Sequence, residues 1–227
     1  IEVDGQIIDM ETDPAWDAQQ HVYTFGFIEQ NHSIHVQFAI NVYTLIYIAG
    51  ENGSLFAGVQ WGGDPADLFP QLSQEVAHGS DAYPVLAVPG YGYHFSGWDD
   101  GLMNNPRTDT GVVADGEATA LFAINMYTLS SSSGPNGSIT PEGELQREHG
   151  SDQTYTIMPD YGYRIHQLLV DGNPVDMQND AAWDAEALSY TFSHIESAHS
   201  IHVSFVLKTY IVSVSAGDGG QVVPGGE

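Results

Sequence analysis

Long internal repeats constrain this chain more than any other feature. Residues 1–40 align with residues 168–207 without a gap, and about half of the positions are identical. Val-Asp-Gly at 3–5 returns at 170–172, Ala-Trp-Asp-Ala at 15–18 returns at 182–185, and His-Ser-Ile-His-Val at 32–36 returns at 199–203. A second match begins later. Asn-Val-Tyr-Thr-Leu at 41–45 returns as Asn-Met-Tyr-Thr-Leu at 125–129 and as Lys-Thr-Tyr-Ile-Val at 208–212, so that Tyr43, Tyr127 and Tyr210 mark a period of 83–84 residues. Within it, His-Gly-Ser-Asp at 78–81 matches 149–152, and Pro-Gly-Tyr-Gly-Tyr at 89–93 matches Pro-Asp-Tyr-Gly-Tyr at 159–163. The chain therefore divides into the C-terminal half of one repeat (1–40), a full repeat (41–124), a second full repeat (125–206) and the start of a further one (207–227). The first full repeat carries an insert near 58–72.

Each repeat reads as strands. Alternating segments such as Thr-Tyr-Thr-Ile at 154–157 and Ile-His-Val-Ser-Phe-Val at 201–206 end in Gly- and Asp-rich turns, and no segment keeps a long 3.6-residue apolar period. Asn-Gly at 52–53 and at 136–137 predicts tight hairpins. Short helical turns are expected at 13–19, at 180–186 and at 66–72, with Asp13 and Asp180 as caps. The fold expected is mainly β: small antiparallel modules, sandwich or β-grasp-like, set as beads on a string. In the first strands, Tyr43, Leu45 and Tyr47 form the inward set, as do Tyr127, Leu129 and Ser131, and then Tyr210, Val212 and Val214. Ile46 and Ile48 make the outer face of one strand apolar as well, which marks a contact surface for the insert, a neighbouring repeat or another chain.

Composition removes several function classes. Thirty Asp and Glu face four Lys and Arg, a formal net charge of −26, so the phosphate backbone of nucleic acid is repelled. Cysteine is absent, which excludes disulfides and Cys-ligated zinc. No apolar run reaches the roughly 18 residues of a membrane span. The chain begins at Ile1 without a leader-like segment, so it is expected to be a piece of something longer. Lys208 is the single lysine, which leaves no Lys–Asn isopeptide bond for each repeat.

The middle repeat carries Tyr-Gly-Tyr-His-Phe-Ser-Gly-Trp-Asp-Asp-Gly, then Asn-Pro-Arg-Thr-Asp-Thr, then a last strand ending Leu-Phe-Ala-Ile-Asn. It resembles the bacterial and archaeal surface repeats related to the internalin B-repeat (Listeria–Bacteroides repeat) family. The other full repeat, with Thr-Tyr-Thr-Ile-Met-Pro-Asp-Tyr-Gly-Tyr, Leu-Val-Asp-Gly and His-Ser-Ile-His-Val-Ser-Phe-Val, resembles the divergent branch of that family. The resemblance implies secreted or cell-surface proteins of tandem β-rich modules, with stalk, adhesin or scaffold roles and no catalysis.

Candidate chemistry is sparse. His32 and His35, copied as His199 and His202, have a spacing that on a strand turns the two rings to opposite faces. With Ile34, Val36 and Phe38 facing the core, His35 faces out, which disfavours a metal site. Asp99, Asp100 and Asp109 surround Arg107, so an Arg–carboxylate bridge competes with a calcium site. Asp171, Asp176 and Asp180 pose the same choice. No cofactor other than calcium has a candidate site. Trp61 and Trp98, with Tyr91 and Tyr93, are the aromatics that a glycan- or protein-binding module would use. Asn31, Asn52 and Asn136 are glycosylation sequons, although two belong to the Asn-Gly turns. No nucleophile elbow occurs, and repeated carboxylates are no catalytic pair.

The function expected is a structural segment of a secreted or surface protein: stalk, scaffold, adhesin spacer or filament component. Its partners are then neighbouring repeats, other copies in a filament, or a surface glycan or protein. The rival is a binding module built on the exposed aromatics.

Overall fold

The computed structural model describes residues 1–57, 67–221 and 223. Among these, strands and turns form the whole structure and no helix occurs. Five short strands come first: β1 (Glu2–Val3), β2 (Gln6–Ile7), β3 (Trp16–Asp17), β4 (Val22–Tyr23) and β5 (Ile34–His35). The first full repeat supplies β6 (Val42–Ala49), β7 (Gly53–Phe56), β8 (Gln71–Ala77), β9 (Leu86–Pro89), β10 (Tyr93–Trp98) and β11 (Gly116–Ile124). The second supplies β12 (Met126–Ser133), β13 (Gly137–Thr140), β14 (Gly143–Glu148), β15 (Gln153–Pro159) and β16 (Tyr163–Val170). It ends with β17 (Asn173–Pro174), β18 (Trp183–Asp184), β19 (Ser189–Phe192) and β20 (His199–Leu207).

Contacts divide the chain into two compact units. One contains Ile1–Ile46, Ser73–Pro84 and Thr108–Glu117, and the other contains Tyr47–Leu72, Val85–Arg107 and Ala118–Glu227. Strands β6, β8 and β11 contribute residues to both.

In the second unit, residues 126–207 form two sheets with strand orders β14-β12-β20-β16-β17 and β13-β15-β19-β18. The first and last long strands, β12 and β20, lie side by side and parallel, with Leu129 opposite His199 and Ser133 opposite Val203. Strands β14 and β16 flank them antiparallel. The repeat is thus all β, two sheets with no helix among the described residues, within the sandwich or β-grasp-like class expected. Alternation places Leu129, Tyr155, Leu168, Ile201 and Val203 in the core, each no more than 2% exposed. The first full repeat repeats the order as β10-β11-β6-β8, with β7-β9 beside it. In its share of the second unit, Tyr47, Leu55, Val85, Trp98 and Ala120 are buried.

In the first unit, β2-β1-β5 form one small sheet and β3-β4 another. Leu45, Val76, Ala82 and Val112 are buried there. The turn at Gly79 and Ser80 is held by paired backbone bonds with Val112, at 2.7 and 2.9 Å.

Four expectations need correction. The Asn-Gly dipeptides are not hairpins. Asn52 and Asn136 adopt φ of 66° and 71° as such turns require. Yet β7 pairs with β9 and β13 with β15, so each turn carries the chain from one sheet to another. The following glycine serves a different need. A Cβ on Gly53 would lie 2.2 Å from the Phe122 ring, and one on Gly137 would lie 2.4 Å from the Phe205 ring. Each glycine is a notch for a Phe from the last strand.

The expected helices are absent. Asp13 and Asp180 do cap, with Oδ1 accepting from the amides of Ala15 and Ala182 at 2.8 Å. The chain then extends, because Trp16 pairs with Tyr23 and Trp183 with Tyr190. At 66–72, residue 66 lies outside the described residues, Phe69 bridges Leu55, and Gln71 opens β8.

Ile34, Val36 and Phe38 do not face a core, being 48%, 42% and 92% exposed, whereas their copies Ile201 and Val203 are 2% and 0% exposed. In 168–207 this strand lies between β12 and β16, while β5 pairs with the two-residue β1. Tyr210, Val212 and Val214 are likewise 82%, 84% and 60% exposed, and residues 208–216 adopt no strand. Without neighbouring strands their alternation has no sheet to join.

Candidate functional site

The sites picked out by the sequence are occupied by structural bonds. Asp99 Oδ1 accepts the Thr119 amide at 2.9 Å. Asp4 and Asp171 Oδ1 accept the amides of Ser33 and Ser200, both at 2.7 Å. All three are the same staple, which ties the turn after one strand to the last strand of its segment. Asp100 holds Arg107 through an Nη1–Oδ2 contact of 2.7 Å, the Arg–carboxylate bridge expected. Arg107 is 8% exposed and its guanidinium lies 5.3 Å from the centre of the Trp98 ring. Asp109 accepts the Ala82 amide at its carbonyl, at 2.8 Å. Asp176 accepts from the Gln178 amide and the Asn179 side chain, closing a turn that Asp9 repeats. Among the described residues, no three His, Asp or Glu side chains converge as a metal site would require.

Trp98 is 2% exposed, so its reading as an exposed binding ring gives way to a core role. Its Nε1 donates to the Asn104 carbonyl at 3.0 Å, and the rings of Tyr47 and Phe95 meet it edge-on. Trp61 lies outside the described residues. Ile46 and Ile48 are half-buried. Asn31, Asn52 and Asn136 are exposed.

The histidines do more than their spacing indicated. His32 Nδ1 lies 2.7 Å from Asp4 Oδ2, and His199 Nδ1 lies 2.7 Å from Asp171 Oδ2. His35 and His202 take no part in these pairs. His202 Nδ1 instead meets the Ser132 hydroxyl at 2.8 Å across the parallel strand pair. The His32 hydrogen bond and the Ser33 amide hold the Asp4 carboxyl below its ordinary 3.8. At Asp171 burial pushes upward, but the His199 bond and the Ser200 amide outweigh it and the carboxyl is also lowered. The Asn179 side chain and the Gln178 amide lower Asp176. A carboxyl whose folded value is depressed stabilises the fold fully above its unfolded value, and that stability is lost as pH falls through the folded value. From neutrality to about pH 4.5 the shrinking negative charge eases self-repulsion. Thermal stability is therefore expected to hold or rise down to about pH 4.5 and to fall below about pH 3.8. Asp171→Asn should flatten that acid limb. An unchanged limb in a melting series would remove this pair as its cause.

One cluster was not legible as such. Tyr91, exposed in the Tyr-Gly-Tyr turn of the first full repeat, reaches the second. Its hydroxyl donates to Glu196 Oε1 at 2.6 Å, and its ring meets His149 edge-on at 4.8 Å between centres. His194 Nε2 lies 3.2 Å from the same Glu196 oxygen. The shared hydrogen bond lowers the Glu196 carboxyl and raises the Tyr91 phenol. His149 also covers Gly92, where a Cβ would lie 2.3 Å from its ring. The link itself is bonded on both sides: the Asn125 amide donates to the Gly92 carbonyl at 2.8 Å, and the His149 amide donates to the Asn125 carbonyl at 2.9 Å. These two repeats are thus clasped together rather than hung on a free linker.

Repeated two-sheet β modules, with carboxylates committed to turns and a histidine-aromatic clasp between them, define a tandem-repeat protein. The chain belongs to the divergent InlB B-repeat domain family, whose model matches residues 70–126 and 127–206, more than half of its length. No curated protein and no solved structure matches it.

Proposed function

We propose that the chain is a structural repeat segment of a secreted or cell-surface protein, serving as a stalk, scaffold, adhesin spacer or component of an extracellular filament. One observation carries this reading: two adjacent repeats of one family are clasped through Asn125 and Tyr91. Such a joint fixes the distance from one repeat to the next, which suits a spacer. The family supports a surface location. The acidity suits a hydrated coat, in which repulsion between copies is screened beyond ~8–10 Å at physiological salt. Ile46 and Ile48 are the face offered to a neighbouring chain in a filament, and calcium at Asp99, Asp100 and Asp109 competes with the Thr119 and Arg107 bonds that Asp99 and Asp100 already make.

Electron microscopy of the source cells and their shed material, with antibody raised against this chain, tests the reading in Ca²⁺ and again in EDTA. Label on the surface or on extracellular fibres is expected. Fibres that come apart in EDTA would give the carboxylates a metal role, and fibres indifferent to EDTA would remove it. Label confined to the cell interior would overturn the surface assignment.

A further inference from the structure

The Tyr91 clasp has a counterpart one repeat further on, with nothing seated in it among the described residues. Tyr161-Gly162-Tyr163 occupies the place of Tyr91-Gly92-Tyr93. The turns match in conformation, with φ of 80° at Gly92 and 85° at Gly162. They also match in their link: the Lys208 amide donates to the Gly162 carbonyl at 2.7 Å, as Asn125 does to Gly92 at 2.8 Å. Tyr210 then stands where Tyr127 stands after Asn125.

The difference lies above the turn. The His149 ring sits on Gly92 and leaves it buried, whereas a Cβ built on Gly162 meets nothing within 4 Å among the described residues. Tyr91 is held by Glu196 and His149, whereas Tyr161 is fully exposed. A groove of about 700 Å³ opens there, lined by Met158, Tyr161, Tyr163, Leu207, Lys208 and Tyr210. Met158, Leu207 and Tyr210 are 66%, 57% and 82% exposed, so these side chains add to an apolar surface around a prepared backbone turn.

We propose that this groove is the socket for the His-Gly-Ser-Asp turn of a further repeat of the same family, linked through Lys208 as the second repeat is linked through Asn125. The incoming histidine lies on Gly162 and against the edge of Tyr161, as His149 lies on Gly92 and Tyr91. The Lys208 carbonyl accepts that histidine's amide, the bond that Asn125 makes with His149 and Asn41 makes with His78 at 2.9 and 2.8 Å. A linked repeat is favoured over a separate copy for two reasons. The Lys208 bond already brings the chain to the right point, which raises the local concentration of whatever follows. The net charge of −26 opposes the approach of two free chains.

This inference rests on the tandem-spacer reading and adds a rigid joint to it. Repeats on free linkers would still be spacers, so failure of the joint leaves that reading standing. The test compares the full chain with an extended chain, in which residues 211–227 are replaced by a second copy of 128–206, so that Lys208 and Tyr210 are kept. Hydrogen exchange of the 159–163 turn is followed in both. In the extended chain this turn is expected to exchange about tenfold slower than in the parent, approaching the 89–93 turn. Tyr161→Ala, or alanine at the appended copy of His149, should restore the parental rate, with exchange in β15 and β20 unchanged as proof of folding. An extended chain that exchanges at 159–163 like the parent, while 89–93 stays protected, would overturn the proposal. So would protection in the parent that grows with protein concentration, since that would seat a second copy in the socket.

Discussion

Trp98→Ala is expected to destabilise the first full repeat by about 3–5 kcal/mol, the range for emptying a buried aromatic site. The ring is 2% exposed, and three things depend on it. It packs against Tyr47 and Phe95, its Nε1 satisfies the Asn104 carbonyl, and its face covers the Arg107 guanidinium. Arg107 makes the effect larger than a cavity alone. It is 8% exposed and bonded to Asp100, so loss of the ring leaves a charged group beside a void. Trp98→Phe keeps most of the packing and should cost less, chiefly the Asn104 hydrogen bond, about 1–3 kcal/mol. Urea unfolding of the full chain reads both changes, and a Trp98→Ala loss below about 1 kcal/mol would mean that the ring is not central to this core.

Gly137→Ala is expected to cost about 1–3 kcal/mol by overpacking, although the change is a single methyl group. The positive φ of this turn belongs to Asn136, so the cost arises from the Phe205 ring 2.4 Å from the new Cβ. Phe205 packs on the core and cannot swing aside without exposing itself. Phe205→Leu alone should destabilise, yet in the Gly137→Ala background it should cost distinctly less. A double-mutant cycle measures this coupling, and additive losses would show that the notch and the ring are unrelated. Gly53 and Phe122 form the same pair, and Gly53→Ala should behave alike.

What the sequence made legible was local, and what it hid was distant. The capping bonds of Asp13 and Asp180 were foreseen, because an Asp reaches the amide two residues on in a turn and in a helix alike. Whether a helix followed was decided by pairing with Tyr23 and Tyr190, which no local pattern records. Asn-Gly was read as a hairpin because the dipeptide suits one, while the Phe that explains the glycine comes from the last strand. Residues 1–40 and 168–207 make the point most directly. The two segments share the Asp–His–Ser staple and the Asp turns, yet Ile34 is 48% exposed and Ile201 is 2% exposed. Turn chemistry travels with the segment, and burial depends on strands elsewhere in the repeat.

The site was legible in part. A bridge from Arg107 to one of Asp99, Asp100 and Asp109 was legible, and Asp100 makes it. The partners of His32 and His199 were missed, although each histidine follows the Asp of a Val-Asp-Gly turn by 28 residues in both copies, a spacing that marks the pair. The Tyr91 clasp left no such signal. Its members belong to two repeats and meet only through the path of the chain at Asn125.

The parallel pairing of β12 with β20 has a mechanical consequence. The strand that opens the repeat and the strand that closes it are neighbours, in register from Leu129–His199 to Ser133–Val203. Tension entering at one end of the repeat and leaving at the other pulls these strands past each other along their length. Their hydrogen bonds are then loaded together, in shear, and do not open one after another like a zip. A chain built from such repeats resists extension as a series of locks, and each yields only when its whole central seam gives way.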